Sequence, residues 1–461
     1  MKPIRCIAFF LAVLMCFTCL SGCGAGTAQN TPSSATASTA ETAASDTAGQ
    51  DTTAVDESGS TPTASGEATQ ASADITEPSG SVSVTSSIAG TGTQSAVVSP
   101  STTAVTTMVT KTTATAPTTT KPPQTSTPVT LKALSSEAYY GYQYLVKKGG
   151  NLAAVYRYVA EGIAAMQTDI SLTTAGFSVS EAEIATVMRC YYADYPQHFW
   201  YGGAYNYQIS GSKVLSVLPV YTMTAAQKQT AQPKVDKAVK DLLGKAAYGQ
   251  TEFDRELILH DELAVRANYV SAANAHNLYG ALVEGKAVCE GYARAFQYLL
   301  YQAGIPCLYV EGTSVRPGGS KGEAHAWNIV RINGSYYHTD ITWNDQSSAT
   351  MHAFFNLNDT FIKEDHTISA NNPYSLPACT ATSDSYYVKK GTEAKTFSVD
   401  DMAQRFTKGN GVATVYLTKN TVNEFLSWFQ TNLSAISAKA GLSGKSFGIQ
   451  HIGREVIITA K

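Results

Sequence analysis

The chain of 461 residues carries little net charge: Lys+Arg 33 against Asp+Glu 36 leaves −3, and the basic residues gather in no single block. Binding nucleic-acid phosphates needs a concentrated basic surface, so nucleic acid is excluded as a partner on bulk electrostatics. Cysteine is sparse as well. There are 8, and their spacing is too irregular for a disulfide-stapled secreted scaffold. Beyond the first 23 residues no C-x-x-C or H-E-x-x-H spacing occurs, and nothing unites His260, Asp261, His276, His338 and Asp345 into a ligand set, so no metal is expected. A membrane-spanning run is missing too. The apolar stretch from Cys6 to Leu20 falls short of the roughly 20 residues that a helix needs to cross a bilayer.

What that stretch does have is a targeting pattern. Lys2 and Arg5 precede it, and Leu20-Ser21-Gly22-Cys23 follows it. The quartet resembles the lipobox of bacterial lipoproteins, which implies cleavage before Cys23 and a diacylglycerol on its sulfur. Residues 1–23 then read as a lipoprotein signal peptide, and the mature protein sits on the extracellular face of a bacterial cell membrane, touching it only through the lipid. From 24 to 130 Ser, Thr, Ala and Gly dominate and aromatics are all but absent, a composition that cannot bury enough apolar area to offset its ordering entropy. This segment is expected to be a disordered stalk.

Tyr and Trp appear abruptly after Leu131. Residues 131–250 read as an accessory region of helices and short strands, with capping boxes at Ser180/Glu183 and Thr224/Gln227 and an aromatic run, His198-Phe199-Trp200-Tyr201, between them. Residues 386–461 read as a small α/β unit. A strand at Ala413–Leu417 leads to a helix capped by Thr421/Glu424 and ended by Gly441, and a last strand covers Val456–Thr459, a β-α-β pattern with no nucleophilic cluster.

Chemistry concentrates in 251–385. Gly285-Lys286-Ala287-Val288-Cys289-Glu290-Gly291 runs straight into a helix whose apolar stripe is Ala293, Phe296, Leu299 and Leu300, ended by Gly304-Ile305-Pro306. Cys289 is thereby placed in the first turn, where unpaired N–H groups and the helix dipole favour a thiolate and can receive an oxyanion. Downstream, Glu323–Val330 alternates as a strand, Asn333-Gly334 is a strong two-residue hairpin signal, and Tyr336–Thr342 returns. With that turn, opposed residues have numbers summing to 667. Trp327 then faces Asp340, and Asp340 is the diagonal same-face neighbour of His325, about 7–8 Å away and within side-chain reach. A carboxylate beside an imidazole that faces a thiol is what a general base requires. Singly, each of the three residues reads more readily as an ordinary core group; together, in one short segment, they read as a triad.

The motifs G-K-A-V-C-E-G-Y-A-R-A-F, G-I-P-C-L-Y-V-E-G, H-A-W-N-I-V and Y-Y-H-T-D-I-T-W-N-D resemble those of the transglutaminase-like superfamily, strongly over Phe253–Trp343. The resemblance implies an α+β, papain-like core with Cys289, His325 and Asp340 as nucleophile, base and orienting acid, acting on amides without a cofactor. Expected substrates are peptides, proteins or cell-wall peptide, with hydrolysis favoured over cross-linking; oligomeric state is not legible. Glu290, Trp327 and Trp343 are weaker candidates for substrate contact. The alternative is a non-catalytic scaffold of the same fold, its tyrosine-rich surface holding wall polymer or glycan.

Overall fold

The computed structural model describes residues 129–315, 322–346 and 349–461, together with the backbone of 4–5 and 82–84. Apart from the backbone of 4–5 the expected signal peptide, with Cys23, lies outside the described residues, as does almost all of the expected stalk. Among the described residues no helix is long and apolar enough to cross a membrane.

Helices α1 (Tyr140–Lys148), α2 (Leu152–Ala164) and α3 (Glu181–Asp194) come first, then a hairpin of β1 (Tyr201–Ser210) and β2 (Lys213–Tyr221), then α4 (Ala225–Ala246) and α5 (Glu252–Arg266). Both capping boxes form as the sequence predicts, with Ser180 and Thr224 accepting from the N–H groups of Glu183 and Gln227. A third, Thr251/Asp254, opens α5. The aromatic run packs inward: Phe199, Trp200 and Tyr201 are buried in the main core, with the Trp200 indole N–H donating to the Ile163 carbonyl of α2 at 3.1 Å, Tyr201 beside Tyr191 of α3, and Phe199 stacked on Tyr279. Asp194 ties the start of α1 to the end of α3 by accepting from the N–H groups of Gly141 and Tyr142 and from the Tyr156 hydroxyl at 2.7 Å.

Next comes α6 (Cys289–Ala303), followed by an antiparallel sheet of β3 (Cys307–Ser314), β4 (Glu323–Ile332), β5 (Ser335–Thr339) and β6 (His366–Ile368), in the order β5-β4-β3-β6. The sequence pattern predicts one apolar stripe on α6. Instead the helix is covered nearly all round, because α4, α5, the end of α3 and the sheet all pack on it. Its polar residues are buried with partners. Gln297 donates to the Ala193 carbonyl at 2.8 Å, and Arg294 donates to Glu290 at 2.9 Å and to the Tyr192 carbonyl at 3.0 Å. A helix so enclosed holds its first turn still, and that turn begins with Cys289.

The C-terminal segment builds its own core around Phe406, Phe425, Phe429, Phe447 and Ile458. It contains more than the expected β-α-β: a helix at Val399–Lys408 precedes it, and Phe447–Ile452 forms a hairpin with Glu455–Ala460. Tyr416 stacks face to face on Tyr387 at 4.1 Å, and Ile452 joins Trp343, Met351 and Phe354 in a further apolar cluster.

Candidate functional site

Each of the three residues of the expected triad is held by a different local device. Cys289 is the first residue of α6, preceded by extended Val288, whose N–H donates to the Ala275 carbonyl at 3.0 Å and whose side chain caps nothing. The first-turn N–H groups therefore have no partner inside the helix. The segment ending at Ala275 lies so close to this turn that a Cβ on Gly291 would come within 2.1 Å of the Ala275 oxygen, which explains the glycine two residues after the thiol. Cys289 packs among Ala193, Ala293, Tyr309 and Ala326, small groups apart from the tyrosine.

His325 sits on β4, opposite Gly312 of β3. Gly312 admits the crowding on this face: a Cβ there would meet the Thr367 carbonyl at 2.1 Å and the Trp327 ring at 2.7 Å. The His325 Nε2 donates to Asp340 Oδ2 at 2.6 Å. Cys289 is the imidazole's other hydrogen-bonding neighbour. Burial disfavours the imidazolium, but the Asp340 carboxylate and Cys289 outweigh it and raise His325 to about 10.

Asp340 reaches this position differently from the extrapolated hairpin. The predicted register holds wherever β4 and β5 pair, from Ile332/Ser335 to Asn328/Thr339. There the ladder stops, and the expected Trp327/Asp340 and His325/Thr342 pairs do not form. Asp340 instead becomes the N-cap of a single-turn helix, α7 (Ile341–Asn344), its Oδ1 accepting from the Trp343 N–H at 3.2 Å while its own N–H donates to the Phe354 carbonyl at 2.9 Å. Aspartate is among the best N-caps, and that local preference ends the strand three residues early. The carboxylate still meets His325.

A second imidazole shares it. His366 on β6 also directs Nε2 to Asp340 Oδ2, at 3.1 Å, and its Nδ1 meets Asp365 Oδ1 at 2.5 Å. Burial alone would push the Asp340 carboxyl up; His325 and His366 hold it well below the usual carboxylate range. Nothing local in the sequence marks His366. It lies beyond the hairpin and arrives through the pairing of β6 with β3, His366 opposite Ser314.

The weaker candidates separate. Glu290 is engaged: its carboxylate accepts from the Tyr192 hydroxyl at 2.5 Å, from Arg294 at 2.9 Å and from His276 at 3.1 Å. Burial opposes its charge, yet Arg294 and these donors bring it down to about 2. Trp327 is 1% exposed and gives its indole N–H to His338 Nδ1 at 3.0 Å, which leaves no surface for a substrate. Trp343 is also buried, its ring 6.0 Å from His325 and 4.7 Å from His366. Both tryptophans back the imidazoles.

Two further clusters have a metal-like composition, His260/Asp261/His352 and His338/Asp359/Cys379. In both, hydrogen bonds fix the ring tautomer against a metal. Asn344 Oδ1 accepts from the Phe354 N–H, so its Nδ2 donates to His260 Nε2 and the proton of that ring lies on Nδ1, facing Asp261. The indole of Trp327 can only donate, so His338 carries its proton on Nε2, facing Asp359. Neither ring offers a lone pair to its carboxylate partner. His276 and Asp345 lie outside both clusters; Asp345 accepts from the Tyr292 hydroxyl at 2.6 Å. The other cysteines of the described residues, Cys190, Cys307 and Cys379, are free and buried, and burial pushes each of their thiols well above the usual range.

Residues 241–341, which span α5, Cys289, His325 and Asp340, match the model of the transglutaminase-like superfamily. The chain is 30% identical to the human (Homo sapiens) protein named Kyphoscoliosis peptidase over 130 residues, 26% of this chain and 19% of that protein. The mouse (Mus musculus) protein of the same name is 30% identical over 129 residues, with the same shares. The chain thus spans about a fifth of the length of these relatives. Solved structures with local likeness include a TGase, at 15% identity over 31% of this chain and 44% of that one with a TM-score of 0.23. Another is the periplasmic domain of TgpA from Pseudomonas aeruginosa bound to ethylmercury, at 14% identity over 30% and 58% with a TM-score of 0.20.

Proposed function

We propose that this chain is a surface-anchored thiol enzyme that cleaves amide bonds in extracellular peptides, proteins or wall peptide. The observation that carries the reading is the convergence of Cys289, at an uncapped helix start, with His325 and its 2.6 Å bond to Asp340. In the reaction, the Cys289 thiolate attacks the amide carbonyl and the Cys289 N–H receives the oxyanion. His325 gives its proton to the departing amine as the C–N bond breaks, leaving a thioester on Cys289. It then takes a proton from water as that water attacks, and the C–S bond breaks to release the acid and restore the Cys289 thiolate beside the His325 imidazolium. Asp340 keeps the Nε2 proton in place throughout, so that the other nitrogen, Nδ1, handles the exchange with Cys289 and the leaving group.

Hydrolysis makes the smaller demand on the site. Water resolves the thioester unaided, whereas transfer requires an amine to be bound and water held off. Incubating the purified protein with peptide and wall-fragment pools, with and without a primary amine, and reading product masses tests this. Products that carry water and are unchanged by amine support a hydrolase; amine adducts as the main species make it a cross-linking transferase. The anchor belongs to the same reading, since Cys23 follows an apolar run and precedes the stalk-like segment. Cys23→Ser is expected to release the protein from the membrane or leave it unprocessed, and wild type found free in the medium with another N-terminus would reject the anchor.

A further inference from the structure

The reading of Cys289 as a nucleophile accounts for three residues, but the buried polar chain does not end with them. It continues from Asp340 to His366 and from His366 to Asp365, whose side chain is partly exposed. A neutral imidazole has one N–H to donate. His366 faces a carboxylate oxygen from each of its two nitrogens, and only the imidazolium donates to both.

We propose that His366 is a positioning residue of this site: as a buried imidazolium clamped between Asp365 and Asp340, it shares the carboxylate on which His325 depends and so weakens the hold of His325 on its proton. The inference rests on the thiol-enzyme reading and adds a fourth and a fifth residue to it.

The surroundings suit a cation. The Trp343 and Trp327 rings lie 4.7 and 5.1 Å from the His366 ring, Phe354 lies at 5.6 Å, and the faces of such rings attract positive charge. The two carboxylates raise the basicity of His366 against the cost of burial, while Asp365 is itself pushed up, by burial first and then by Asp340 and Glu364. The other ionisable neighbours are His325, its ring centre 5.2 Å away, and His338 on β5, which the charge of His366 pushes toward its neutral form. Glu364 is paired with Arg454, which leaves Asp365 as the anion for Nδ1.

The consequence for catalysis has a definite sign. A positive charge on His366 opposes a second one on His325, and the N–H of His366 occupies part of the oxygen that would otherwise serve His325 alone. Both effects make His325 a stronger acid toward a leaving amine than a simple His–Asp pair would be. Removing the charge on His366 must therefore make His325 more basic. A group that only filled space would have no such effect.

The test needs no knowledge of the substrate. Iodoacetate is an anion, so its attack on the Cys289 thiolate is favoured by the His325 imidazolium and slows as that imidazolium loses its proton. The rate at Cys289 is measured in short pulses between pH 5 and 11 for the full-length wild type, His366→Gln and Asp365→Asn. The expected result is an alkaline limb displaced upward by about one unit in His366→Gln and in the same direction in Asp365→Asn. Should His366→Gln fail to fold, Asp365→Asn decides alone, because it leaves the buried ring in place and removes only its outer anion. Limbs that superpose on the wild type, or move down, overturn the proposal while leaving Cys289 as the nucleophile. A wild type not alkylated at Cys289 at any pH removes the thiol-enzyme reading and this inference with it.

Discussion

His325 donates to Asp340 at 2.6 Å although the β-ladder that brings their strands together ends at Asn328 and Thr339, before either residue is reached. The contact is therefore made by two side chains that leave a sheet in different ways, one still on its strand and the other capping a helical turn. Asp340→Asn separates the two roles. Asparagine is as good an N-cap as aspartate, so the fold should survive. The amide cannot supply the negative charge that stabilises the imidazolium, and turnover should fall by about 10³–10⁴-fold. Near-unchanged melting with that loss of amide cleavage supports the assignment; undiminished turnover in a folded variant rejects it.

Glu256 of α5 predicts the response of stability to alkali. It is fully buried, accepting from Asn356 Nδ2 at 2.8 Å and from the Thr339 hydroxyl at 3.3 Å, and burial raises it from 4.5 to about 8. A carboxyl whose folded value is raised holds its proton more tightly in the native state, so its contribution is complete below about pH 4.5 and is lost as pH rises through about 8. Chemical denaturation across pH 5–9 should show stability falling in wild type, by up to about 1.4 kcal/mol per pH unit from this group. Glu256→Gln should flatten that part of the curve. An unchanged slope would mean that Glu256 ionises without cost.

Gly291 predicts a tighter coupling between the loop ending at Ala275 and the thiol. Gly291→Ala places a methyl group 2.1 Å from a backbone oxygen, and relief requires the first turn of α6 or the loop to move. A loss of about 1–3 kcal/mol is expected from such overpacking, with Cys289 reactivity lost alongside it. A variant with wild-type melting and wild-type reactivity would show that the turn is not held by this contact.

Much of the site is legible in the chain because it depends on short-range chemistry. Val288, Cys289 and Gly291 declare a helix start, Asn333-Gly334 fixes the hairpin register, and both operate over a few residues. The Asp340 cap is written in the same local code, yet the alternation of Tyr336–Thr342 masks it and predicts a strand that runs three residues too far. His366 was not legible at all. Its place depends on β6 joining β3 from half a hundred residues away, and Asp365-His366 has no spacing that distinguishes it from a loop. The enclosed surroundings of α6 are hidden for a related reason: its buried Arg294 and Gln297 look polar in sequence and become core residues only because Tyr192 and Ala193 of α3 supply carbonyl partners.

The most direct test of the account is a map of thiol reactivity in the full-length wild type near neutral pH. The four cysteines of the described residues are all buried, so burial does not single one out; the helix start and the His325 contact distinguish Cys289 alone. Brief exposure to an amide-like alkylating reagent, followed by digestion and mass analysis, should place the label on the peptide containing Cys289, at least about tenfold ahead of Cys190, Cys307 and Cys379. His325→Ala should abolish that preference. Equal labelling of all four, or a preference for Cys289 that persists without His325, would contradict the triad.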